Sequence, residues 1–267
     1  MLIKTTSLIL AILFSAMLAL FSPFNVAEER WQDEDYLIES FTKIALQREY
    51  DKVQNPKLMR WEKPIKVYFY SDLGDANFQK ELLSVHSAHL SYITGVPIHF
   101  VSRKEDANLF VIFTSYAQME DKVSIYMGPP DNYRTALNEA ICIAQFKANR
   151  YSRLIGGSII IPVDYARQKS RFLDCIVEEI TQLMGLPNDS NEVFPSIFND
   201  VSIDSYLSPL DYLLLKLLYS PRLSPGMTVQ QTLAALPLAI QDLNATNDIE
   251  LAASRVQVHS LKSYLQD

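Results

Sequence analysis

Between Phe172 and Ser190 the chain has room for one arrangement, an amphipathic helix that has to stop. Turned by about 100° per residue, Phe172, Leu173, Ile176, Val177, Ile180, Leu183 and Met184 fall on one side. Cys175, Glu178, Gln182 and Gly185 fall on the other. Gly185 is the natural terminator, because glycine enters the left-handed conformation without a Cβ penalty. Pro187 forbids the helix from resuming. A helix predicted over Tyr165 to Met184 therefore buries one face and presents Glu178, Glu179 and Gln182 just behind a fixed end.

The preceding chain supplies a sheet on which that face can pack. Ile65 to Tyr70, Pro97 to Val101, Asn108 to Thr114, Ala140 to Lys147 and Leu154 to Val163 are rich in β-branched and aromatic residues and read as strands. Gly156-Gly157 within the last of them marks a bulge or a close backbone approach. Ala76 to Ile93 reads as a helix ended by Gly95 and Pro97, and Glu34 to Tyr50 as a helix on the outside of the domain. Asn55 to Pro64 and Tyr116 to Tyr133 lack periodicity and read as loops. After the key helix, Ser208 and Asp211 form a capping box for a last helix over YLLLKLLYSP. Pro225-Gly226 separates two further amphipathic helices, Thr228 to Leu243 and Asp248 to Leu265.

With hydrophobic residues at 48% of 267, the chain can bury a full core. A net charge of −7 and scattered Lys and Arg give no electrostatic footprint for nucleic acid. Lys4 followed by the apolar run Ser7 to Phe24 is the pattern of an export leader over residues 1–27. The run is also long enough to stay as an N-terminal anchor over 7–24, so cleavage and retention both stand. The expected location is periplasmic or secreted, with membrane contact only through that segment if it is uncleaved. In an oxidising compartment the two cysteines, Cys142 and Cys175, are expected to form a disulfide, the alternative being two buried thiols.

The run Glu178-Glu179-x-x-Gln182-x-x-Gly185-x-x-Asn188 has the spacing of the metzincin zinc-peptidase pattern H-E-x-x-H-x-x-G-x-x-H. Glu179 falls at the general base, Gly185 at the turn, and Asn188 or Asp189 at the third ligand. Ser196-Ile197-Phe198 falls where that family has its methionine turn, with Phe198 in place of the methionine. The strand, helix, four strands, helix order also resembles the upper half of a metzincin domain. Over about Trp61 to Met227 the chain is similar to the bacterial family named domain of unknown function 2927, whose members pair an EExxQxLGLxND helix with a later LSPxD segment. The resemblance implies an α+β fold with a metzincin-like (zincin-like) mixed sheet. With the patterns on either side of it, the chain divides into a leader or N-terminal anchor (1–27), an N-terminal helix and linker (28–60), the zincin-like domain (61–227) and a C-terminal helical extension (228–267).

Zinc prefers histidine nitrogen and cysteine sulfur, and here every histidine of the pattern is replaced by an oxygen donor. The expectation is no metal and no cofactor. His86 and His89 stand at H-x-x-H spacing on a helix, but one solvated and one partly buried histidine is the expected outcome; His99 and His259 join no constellation. The favoured function is a non-catalytic one, in which Glu178, Gln182, Asn188 and Asp189 form a polar network and the cleft beside Ala140 to Lys147 binds a peptide or an envelope protein by strand addition. The catalytic alternative is a hydrolase with Glu179 as general base and the Gln182 amide stabilising an oxyanion, with or without a weakly held metal. A third reading is structural service at the membrane.

Overall fold

The structure is a computed structural model that describes residues 30–48, 54–202 and 205–266. The leader expected over residues 1–27 lies outside them. The architecture is α+β, a six-stranded mixed sheet with helices on both faces. The strands are β1 (Arg60–Trp61), β2 (Ile65–Ser71), β3 (Ile98–Val101), β4 (Leu109–Thr114), β5 (Ile143–Ala148) and β6 (Arg153–Pro162). They lie in the order β1-β6-β4-β2-β3, with β5 on the other side of β6. Each pairing is parallel except β5 with β6, which is antiparallel.

Side-chain alternation along the central strands divides the core in two. Val111 and Phe113 of β4, with Ile159 and Ile161 of β6, face the larger cluster. Ile112 and Ile160, the residues between them, face a smaller cluster on the opposite side. The larger side is covered by α2 (Ala76–Thr94) and α6 (Phe172–Gln182). The smaller is covered by α3 (Met119–Tyr126) and α4 (Arg134–Glu139). A loop was expected over Tyr116 to Tyr133. The apolar spacing of Met119, Val123 and Met127 makes a short helix there instead, because those side chains close the second face of the sheet.

The long helix expected over Tyr165 to Met184 is two, α5 (Val163–Gln168) and α6, broken where Ser170 adopts a positive φ of 58°. The break falls in the polar run Arg167 to Arg171, which has no apolar stripe to carry a helix across. Helix α1 (Glu34–Ala45) packs by one face and leaves Glu34, Asp35 and Glu39 exposed. Leu37, Phe41 and Ile44 are fully buried, because α7 (Pro209–Leu218) and α8 (Val229–Ala245) pack on it. The single helix expected over Asp248 to Leu265 is α9 (Ala252–Arg255) and α10 (Leu261–Gln266), with His259 at a φ of 60° between them. The loop expected before β2 contains the short strand β1. Gly157 is a close approach, since a Cβ there would lie 3.0 Å from the Gln145 carbonyl and 3.3 Å from Leu183.

Candidate functional site

Helix α6 is fixed from behind and at its end. Ile176, Val177 and Ile180 are buried in the main core. Across that interface His86 Nε2 of α2 lies 3.1 Å from the Val177 carbonyl and 3.0 Å from Thr181 Oγ1, whose hydroxyl also donates to Val177. His86 and His89 are both buried, contrary to the expectation of one solvated ring, because α2 is covered by α6 on one side and by residues around Val256 and Leu261 on the other. Burial, reinforced by the His89 charge, lowers the pKa of His86 to about 3. Burial lowers that of His89 to about 4. Both therefore serve as neutral packing groups at neutral pH.

After Gln182 the chain turns through Gly185, whose φ is 118° and whose added Cβ would lie 2.2 Å from the Met59 carbonyl. Only glycine meets both demands. The carbonyls left over at the helix end are taken up by side chains: Trp61 Nε1 donates to Leu183 at 2.7 Å and the Tyr219 hydroxyl to Met184 at 2.8 Å. The expected disulfide is present. Cys142–Cys175 spans 33 residues and ties the chain just before β5 to the first turns of α6.

Between β5 and the polar face of α6 lies a groove of about 1420 Å³. Glu178, Glu179, Gln182 and Asp189 line it, four of the residues singled out from the sequence. Asn188 does not. Its amide donates to the Lys43 carbonyl of α1 at 3.0 Å and to the Asp189 carbonyl at 2.9 Å, so it pins the loop to α1. Gln182 Nε2 donates to Asp189 Oδ1 at 2.8 Å. One carboxylate oxygen from each of Glu178, Asp189 and Asp200 falls within 4.8 Å of the others. Arg171 binds Asp174 at 2.8 Å but reaches Glu178 only at 3.7 Å. Burial pushes the Glu178 carboxyl well above its ordinary range of 4.5, and the charges of Asp189 and Glu179 push it further, against the weaker pull of Arg171.

Arg171, Asp174 and Asp200 were missed in the sequence. Asp174 had a signal, since it stands four residues before Glu178 on the same helix face. Asp200 had none; it arrives through the loop that follows α6. The zinc implied by the metzincin resemblance does not fit this donor set. Among the described residues no histidine lines the groove, and both of its cysteines are joined in the disulfide. Three carboxylates suit a hard cation, an ammonium or a guanidinium instead.

A family model described as "Protein of unknown function (DUF2927)" matches residues 34–238, more than half of the chain. The chain belongs to this family. No curated protein matches it. The part of the chain matched as DUF2927 runs from the first residue of α1 into α8, so it holds every wall of the groove as well as Lys43, which anchors Asn188.

Proposed function

We propose that this DUF2927 protein is a non-catalytic binding module on a metzincin-like scaffold, and that it holds an extended segment of peptide or protein by strand addition to β5. The observation that carries the reading is the edge of β5. Successive side chains of a strand point to opposite faces, so a cavity lying over one face touches every second residue. Here four successive residues of β5, Ile143 to Phe146, all line the groove, as do Ala140 to Cys142 just before them, which places the groove along the backbone edge itself. Among the described residues, Ile143–Ala148 makes backbone hydrogen bonds only within its pairing with β6. An edge of that kind is a template for one more strand.

The metzincin-like part of the reading is supported by the order β2, α2, β3, β4, β5, β6 and then α6 with its glycine turn, into which α3 and α4 are inserted before β5 and the short α5 before α6. The non-catalytic part is supported by the engagement of Gln182. The amide that would have to stabilise an oxyanion already donates to Asp189. Export fits the Cys142–Cys175 bond, which persists in an oxidising compartment. Amide hydrogen exchange of the purified protein with a randomised octapeptide pool tests the reading. Outward N–H groups alternate along an antiparallel edge, so binding is expected to slow exchange at every second residue of Ile143–Ala148. Protection confined to other elements, or cleavage of the peptides, sinks it.

A further inference from the structure

Resting on that reading, we infer that the groove selects a segment carrying a basic side chain, Arg or Lys, which it receives between Glu178, Asp189 and Asp200. Among the described residues the groove is lined by six carboxyl groups against three cations, Arg48, Lys57 and Arg171. Three carboxylates converge within 4.8 Å, and Arg171 beside them is committed to Asp174 and stands 3.7 Å from Glu178, beyond hydrogen-bond reach.

Two further acceptors point the same way. Asp174 lines the groove and is only 7% exposed; its Oδ2 takes Arg171, while its Oδ1 has no hydrogen-bond partner among the described residues. On the opposite wall, Gln145 Oε1 of β5 is likewise buried without one. Unpaired buried acceptors cost about 1–3 kcal/mol each, so an occupant that brings donors gains from both walls. A guanidinium offers five N–H donors in a planar fork that matches paired carboxylates, and an ammonium offers three. Strand addition supplies the geometry. A segment laid along β5 turns alternate side chains toward one face of the extended sheet, so one position in its sequence is read by the α6 carboxylates and its neighbours are not.

The test uses fluorescein-labelled octapeptide pools, random except at one central position fixed as Arg, citrulline or Glu, with affinity read by anisotropy. Citrulline keeps the shape of Arg and removes its charge. The Arg pool is expected to bind about tenfold or more tightly than the citrulline pool and the Glu pool weakest of all. That preference is expected to fall to within about twofold in Glu178→Gln and in Asp189→Asn. Equal affinity of the Arg and citrulline pools, together with slowed exchange along β5, overturns this inference and leaves the strand-addition reading standing. Absence of binding by every pool overturns both. Titration with calcium chloride alone closes the remaining route: binding of calcium that Glu178→Gln abolishes, with displacement of the Arg pool, makes the cluster a metal site and removes the basic side chain from it.

Discussion

Asp211 and Glu178 are two carboxyl groups that burial pushes above the ordinary carboxylate range, Asp211 to about 6. Their surroundings are opposite. Asp211 is fully buried and served by donors, with Ser196 Oγ at 2.6 Å, the Ser208 amide at 2.8 Å and the Ile197 amide at 3.1 Å. Ser208 completes a reciprocal cap by accepting from the Asp211 amide and donating to the Pro195 carbonyl. Glu178 has acids for neighbours and one guanidinium at 3.7 Å. The first arrangement joins the loop after α6 to the start of α7, and so supports the loop that carries Asp189 and Asp200. The second works against folding, and groups held that way cluster where a ligand is bound. One carboxyl group holds the wall of the groove, and the other is what the wall is there to present.

The largest effect is expected where the satisfied group is removed. Asp211→Ala strands two backbone N–H groups and a hydroxyl in the core, at a cost of about 4 kcal/mol in urea unfolding. Asp211→Asn keeps one acceptor oxygen and is expected to lose about half as much. A loss below about 1 kcal/mol for the alanine variant breaks the contrast, since Asp211 would then hold nothing.

Behind α6, His86 sharpens it from the other side. Its folded pKa of about 3 lies below the 6.5 of the unfolded chain. The unfolded state therefore binds the extra proton. Stability from the neutral ring is fully present above pH 6.5 and is lost as pH falls toward 3, at up to about 1.4 kcal/mol per pH unit. His86→Gln retains a side-chain donor for Val177 and Thr181 but does not titrate. Its urea midpoint is expected to fall less steeply than that of the parent between pH 6.5 and 4.5. Parallel profiles would mean that the ring is not held neutral against α6.

Much of this frame was legible in the chain. β2, β4 and β6 announce themselves by β-branched runs, and the Ser208/Asp211 cap by its spacing, because local sequence and local structure agree there. The stop at Gly185 was legible too, although half of its cause, the Met59 carbonyl 2.2 Å from where a Cβ would stand, comes from a segment more than a hundred residues away. Convergence was not legible. Asp200 joins Glu178 only once a loop has folded back, and Asn188 leaves the groove because a carbonyl of α1, 145 residues earlier, competes for its amide. The histidines were misjudged for the same reason. Their cover comes from α6 and from the C-terminal segment around Val256 and Leu261, neither of which leaves a mark in the sequence of α2. Asp211 read as a helix cap gave no sign that it also holds Ser196 and Ile197.

The smallest expected effect has the opposite sign from the first and therefore separates the two carboxyl groups most cleanly. Because the folded pKa of Glu178 is raised, its protonated form favours folding below pH 4.5, and that contribution is lost as pH rises through the folded value. Above that folded value the ionised side chain stands desolvated among like charges. Glu178→Gln removes that penalty while keeping the shape of the side chain, so the variant is expected to be more stable than the parent at pH 8, by about 1 kcal/mol, the usual size of a single stabilising substitution. The gain is expected to vanish below pH 4.5, where the parent is protonated in both states. Thermal unfolding of the two proteins at pH 4 and pH 8 reads this directly. A variant less stable than the parent at pH 8 would mean that Glu178 is held as Asp211 is, by donors, and that the acidic floor of the groove is structural rather than kept for a ligand.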